Sequence, residues 1–129
     1  MLYLDNSATS FPKPPCVIEA IGDYLKHTGA SAGRAGYKSA LKAAKMVFSC
    51  REKLARLFNI KDSSRVVFTS GATESLNTAI FGILEEGDEV VTTAMEHNSV
   101  MRPLRYLEGT KSIKIKFLKT DKYGGVEER

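Results

Sequence analysis

Three small residues, Gly71, Ala72 and Thr73, stand between an apolar run and an amphipathic segment in RVVFTSGATESLNTAI, and this is where the chain could hold an anion. The first turn of a helix has unpaired amide donors and the positive end of the macrodipole, and small residues there let a phosphate approach closely. Taken alone, the tripeptide is an ordinary strand-to-helix turn with Thr73 or a neighbour as N-cap. Its setting adds to that. In an open α/β sheet, ligands bind beyond the carboxyl ends of the strands, where both this turn and His97 should fall. A lone histidine is commonly a satisfied core or surface residue, but an imidazole at a strand end can lie flat against an aromatic ring and exchange protons near it. Glu96 reads as a solvated neighbour or a helix-start charge.

Those residues need elements to position them. MLYLDNSATSFP reads as an extended arm ending in a turn, so residues 1–14 form the arm and 15–129 one continuous part-domain. Pro14 and Pro15 should open a helix with Val17, Ile18, Ile21, Tyr24 and Leu25 on its apolar face and Gly29 as its stop. TGASAGRAGYK is a loop by composition. Residues 39–58 form the longest predicted helix, with Ala40, Ala44, Val47, Cys50, Leu54 and Leu57 recurring at spacings of three and four. Cys50 is read as a packing residue on that stripe; Cys16, with no base nearby, is also read as structural.

Residues 66–68 are predicted to be a short buried strand, followed by a helix through Leu76, Ala79, Ile80, Ile83 and Leu84 that ends near Gly87. A second strand is predicted over residues 89–95. A helix with Leu104 and Leu107 follows, in which Pro103 is tolerable only near the start. In the third predicted strand, residues 113–118, Ile113, Ile115 and Phe117 alternate with Lys114 and Lys116. One face is therefore covered and the other wet, or the strand is a sheet edge guarded by lysines. Strands separated by helices point to an α/β fold with a parallel sheet and right-handed crossovers.

The bulk numbers agree with a folded chain. At 129 residues, 43% hydrophobic and 26% charged, the composition is globular. The net charge of +4 comes from 19 Lys and Arg against 15 Asp and Glu. These basic residues are spread over several segments without aromatic interleaving or zinc-finger spacing, which argues against nucleic acid and suits an anionic ligand equally well. No metal-ligand spacing is present. Two distant cysteines without CxxC spacing, and a start lacking a basic n-region and an apolar h-region, fit a reducing cytoplasm. No apolar run is long enough to span a bilayer. With a phosphate at Thr73, an aromatic ring beside His97 suits pyridoxal 5'-phosphate better than a dinucleotide, whose GxGxxG fingerprint is missing.

Four segments, YLDNSAT, ASAGRAGYKSA, VVFTSGATESLN and GDEVVTTAMEHNSVMRPLRYL, together resemble the class V aminotransferase and cysteine desulfurase family of fold-type I pyridoxal-phosphate enzymes. They span nearly the whole chain in the family's order. The resemblance implies that Gly71, Ala72 and Thr73 bind the cofactor, its phosphate lying at Ala72 and Thr73, and that His97 stacks on its ring as a catalytic residue. Asn6, Ala8 and Arg34 are implied on the substrate side. Many relatives have a histidine in the glycine-rich loop where this chain offers Gly33 or Tyr37.

The implied fold is part of the large domain of such a transferase, a parallel or mixed sheet with flanking helices, incomplete in this chain. The lysine that holds the cofactor, the aspartate that pairs with its ring nitrogen and the cysteine that takes sulfur are expected beyond Arg129. Neither Cys16 nor Cys50 matches that sulfur-accepting position. In the family, later strands lie between the first strand and the next two, so residues 66–68 are expected to lack their neighbours. The implied activity of the complete protein is removal of sulfur from L-cysteine to give alanine. Class V transamination, selenocysteine lysis and a non-catalytic truncated module are the alternatives. The implied partners are an amino-acid substrate, a second copy in a homodimer and a sulfur-acceptor protein, with no nucleic acid and no membrane.

Overall fold

The computed structural model describes residues 2–33 and 36–126, an α/β chain in two compact units, Met1–Val67 and Phe68–Arg129. In the first unit the arm turns as expected, the Ala8 and Thr9 amides donating to the Asp5 carbonyl at 3.2 and 3.4 Å. The Tyr3 hydroxyl donates to the Thr9 carbonyl at 2.9 Å, and the Tyr3 and Phe11 rings meet edge to face with centroids 5.5 Å apart. Helix α1, Pro15–His27, starts on the expected proline. It stops where Gly29 takes φ +48° and its amide, with that of Thr28, donates to the Tyr24 carbonyl. The left-handed conformation is what makes glycine the stop there.

Helix α2, Lys38–Leu57, is the longest, and its buried residues are Ala40, Ala43 and Ala55. This corrects the reading of Cys50, which is exposed, as is Cys16. At about 100° per residue, Cys50 is only about 20° around the helix from the buried Ala43, and Val47, between Ala40 and Ala43 on the same face, is 40% exposed, so the stripe lies where the periodicity put it and only part of its length is covered. Helix α1 has its expected apolar pattern but no buried residue. After α2, the Asp62 carboxylate accepts from the Ser64 amide at 2.9 Å and starts a single 3-10 turn, Ser63–Arg65, which packs against α2.

Residues 66–68 follow, and here the expected buried strand is overturned: they pair with no strand, and Val67 is 74% exposed. Extended backbone becomes a strand only in a ladder with another strand, and the sheet among the described residues does not include this segment.

The second unit contains helix α3, Ala72–Ile83, strand β1, Glu89–Thr93, helix α4, Asn98–Lys111, and strand β2, Lys114–Leu118. The two strands pair in parallel, Glu89 opposite Lys114 and Thr93 opposite Leu118. Their alternation is as expected in part: Val90 and Ile115 turn inward, while Glu89 and Lys116 lie on the wet face and form an ion pair at 2.6 Å, but Phe117, expected beside Ile115 on the covered face, is 40% exposed. Helix α3 ends sooner than the sequence implied, at Ile83, and the Asp88 carboxylate accepts the Glu85 amide at 2.8 Å, closing a turn that contains Gly87. The core is Leu104, Leu107 and Ile113, with Ile80, Leu84, Val90, Val100 and Ile115 packed around them. Helix α4 thus lies against both α3 and the sheet. No helix among the described residues is long and apolar enough to cross a membrane.

Candidate functional site

The Gly-Ala-Thr turn is built by the side chains that precede it. The Ser70 amide and hydroxyl both donate to the Glu74 carboxylate, at 2.7 and 2.6 Å. These two bonds, the hydroxyl's foremost, hold the Glu74 carboxyl below its ordinary value of 4.5. The Thr69 hydroxyl donates to the Gly71 carbonyl at 3.0 Å, so the 2.6 Å contact between the Thr69 and Ser75 hydroxyls has Ser75 as its donor. The N-cap of α3 is therefore Gly71 and not Thr73, which is the second residue of the helix. Gly71 brings no side-chain acceptor to the first-turn amides, and a Cβ at this position would meet nothing within 4 Å. The end of α3 is uncapped and open.

The start of α4 is closed in a way the sequence did not show. His97 is its N-cap, and its ring Nδ1 accepts from the Ser99 amide at 3.1 Å and lies 2.8 Å from the Ser99 hydroxyl. Histidine is not among the usual capping residues, so no sequence signal marks this. Because Nδ1 accepts a backbone proton, the neutral ring carries its own proton on Nε2. Glu96 turns back to the Thr93 hydroxyl, 3.3 Å away, in keeping with its reading as a solvated neighbour.

Both helix starts open on one cleft of about 460 Å³, lined by Thr73, Asn77, His97, Asn98, Ser99, Arg102 and Pro103. Two of the residues singled out from sequence, Thr73 and His97, thus come together, with Gly71 and Ala72 leading into Thr73. Asn77 and Arg102 were missed. Their signal was helical spacing: Asn77 is one turn beyond Thr73, and Arg102 one turn beyond Asn98. Arg102 is exposed and has no ion-pair partner among the described residues. Pro103 sits at the sixth position of α4, deeper than expected. Asn6 and Ala8 belong to the first unit, where the Asn6 side-chain oxygen accepts from the Phe11 amide at 3.2 Å. Arg34 lies outside the described residues.

Known proteins share this arrangement of elements. A protein of Pseudomonas putida named a probable cysteine desulfurase is 33% identical over 129 residues, which cover 98% of this chain and 32% of that protein. One of the same name from Methanothermobacter thermautotrophicus is 34% identical over 128 residues, 98% of this chain and 31% of its own. The solved apo structure of a cysteine desulfurase from Thermococcus onnurineus matches with a TM-score of 0.85 at 29% identity, over 98% of this chain and 32% of that one. The chain spans about a third of the length of the relatives it matches. The aminotransferase class-V family matches residues 2–129, and the chain belongs to that family.

Proposed function

We propose that this chain is the N-terminal part of a pyridoxal-phosphate-dependent, cysteine desulfurase-like enzyme that removes sulfur from L-cysteine and leaves alanine. One observation carries the proposal: the uncapped start of α3 and the ring of His97 line a single cleft, in a chain whose relatives are named for that activity. The residues present fit the cofactor in kind. Free first-turn amides and the Thr73 hydroxyl suit a phosphate, and the unpaired Arg102 adds positive charge on the same cleft. An imidazole whose Nδ1 is already engaged suits stacking against a flat heteroaromatic ring.

When bound, the cofactor supplies an electron sink for charge developing on the substrate. The remaining roles belong to the chain. Gly71 keeps the approach to the amides open, Ala72 and Thr73 anchor the phosphate, and His97 orients the ring and holds a proton on Nε2 for exchange nearby. Asn6, Ala8 and Arg34 are assigned to the substrate side, with residues 1–14 as an arm and 15–129 as part of the large, cofactor-binding domain. The lysine that holds the cofactor and the cysteine that takes sulfur are assigned to the remainder of the full-length protein. A cytoplasmic homodimer that passes sulfur to an acceptor protein completes the reading.

Transamination would use the same cleft, and membership of the aminotransferase class-V family admits it. The full-length protein loaded with pyridoxal phosphate and given L-cysteine, 2-oxoglutarate and a thiol reductant separates the two: alanine is expected together with sulfide, formed as the added thiol reduces the transferred sulfur, and amino transfer to the 2-oxo acid without sulfide would favour the second reading. The 129-residue chain mixed with the same cofactor should give no stoichiometric, borohydride-trappable visible band. Such a band would overturn the assignment of the lysine to the remainder. Full cofactor affinity in Thr73→Ala and His97→Ala would overturn the site.

A further inference from the structure

We infer that Asn77 is a positioning residue that sets the placement of the Ala72 and Thr73 turn relative to His97. The reason begins with Pro103. Inside an α-helix the amide of residue 103 would donate to the carbonyl of residue 99, and proline has no amide proton to give. Ser99 is buried, at 8% exposure, so water is a poor substitute. The Asn77 side-chain amide supplies the donor instead, its Nδ2 reaching the Ser99 carbonyl at 3.2 Å. The second proton of the same nitrogen goes to the Thr73 carbonyl at 2.8 Å. Two carbonyl acceptors on one nitrogen also settle which way the amide faces, since the flipped group would set oxygen against oxygen.

The result is a continuous series of bonds. Thr73 is joined to Asn77, Asn77 to Ser99, and Ser99 through its amide and hydroxyl to Nδ1 of His97. Its two ends are the residues assigned above to the phosphate and the ring. Elsewhere α3 and α4 meet through the Phe81 and Tyr106 rings, 5.8 Å apart, and, at the opposite end from Thr73 and His97, through the Lys111 ammonium, which donates to the Leu84 carbonyl at 2.8 Å. The bonds stand whatever ligand the cleft takes; only the effect on cofactor affinity rests on the function proposed above.

The test is a double-mutant cycle of Asn77→Ala and Pro103→Ala in the full chain, read in three ways. Asn77→Ala should lower the urea midpoint and leave a mixture of His97 tautomers in the ¹⁵N spectrum of the folded protein. Adding Pro103→Ala returns an amide donor to Ser99 and should recover most of that midpoint. Residual dipolar couplings should nevertheless show α3 and α4 at an altered angle in both Asn77 variants. Pyridoxal phosphate affinity in the full-length protein should stay lower by on the order of tenfold in the double variant, because satisfying Ser99 within α4 does not restore the tie to α3.

A double variant with wild-type couplings and affinity would overturn the inference, since satisfying Ser99 would then be all that Asn77 does. So would an Asn77→Ala loss that Pro103→Ala does not relieve, including failure of both variants to fold. If the wild type binds no pyridoxal phosphate, the cofactor reading fails, and the couplings still decide the role of Asn77.

Discussion

Leu107→Ala tests whether the small core is what holds the helix that carries the site. Leu107 is 1% exposed and packs with Leu104 and Ile113, with only partly buried residues around them. Truncation removes the transfer free energy of the lost methyl and methylene groups and leaves a cavity, and such changes cost roughly 2–5 kcal/mol. Because the surrounding shell is itself partly open, it can relax inward, which places the expected loss at about 3 kcal/mol. With a urea slope of about 2 kcal/mol per molar, the midpoint followed by far-UV circular dichroism should fall by about 1.5 M. Leu57→Ala is the control: Leu57 is 73% exposed, and its loss should stay within about 0.5 kcal/mol. A Leu107→Ala loss below about 1 kcal/mol would refute the reasoning, because it would mean that this side chain is not enclosed between α4 and the residues of α3 and the sheet that pack around it.

Three further outcomes are expected. Arg102→Gln should weaken pyridoxal phosphate or inorganic phosphate binding by roughly ten- to a hundredfold without moving the urea midpoint, since Arg102 is exposed and without an ion-pair partner among the described residues; unchanged affinity would remove it from the anion's surroundings. Acidification should loosen the turn before α3. Glu74 has a lowered folded value, so its contribution is present above the ordinary 4.5 and is lost as pH falls below it; Glu74→Gln should flatten the acid dependence of the midpoint, and equal slopes in the two proteins would argue against the Ser70 contacts. Gly29→Ala places a Cβ at φ +48° and should destabilise the first unit by about 1–2 kcal/mol, read as earlier loss of helical signal on heating; an unchanged transition would mean that the stop of α1 is not left-handed.

Much of this was legible from residue types and spacing. The four helices follow from period and end signals, Pro15 and Gly29 being the clearest pair. The parallel pairing of β1 and β2 follows from strands separated by a helix, and the wet, lysine-bearing face from period-two alternation. The meeting of Thr73 with His97 at one cleft was expected from the rule that sites form beyond the carboxyl ends of strands, although only His97 follows a strand in the structure. The expectations of burial that failed did so for one physical reason. Periodicity reports which residues could be covered, not whether anything covers them, so Cys50 and residues 66–68 were assigned a burial that they do not have.

By itself the sequence determined the local chemistry: a helix start made of the small residues Gly71, Ala72 and Thr73, a histidine just past a strand, and the membership of the aminotransferase class-V family that these motifs carry. Local preference and short-range spacing suffice for that, because a turn or a helix end is made by neighbours in the chain. Only the tertiary structure decided that His97 caps α4 with its proton left on Nε2, that Arg102 faces the cleft unpaired, and that Asn77 makes up for the amide Pro103 lacks. Each of these depends on a hydrogen bond, or the want of one, that becomes visible only when the elements are set against each other in space.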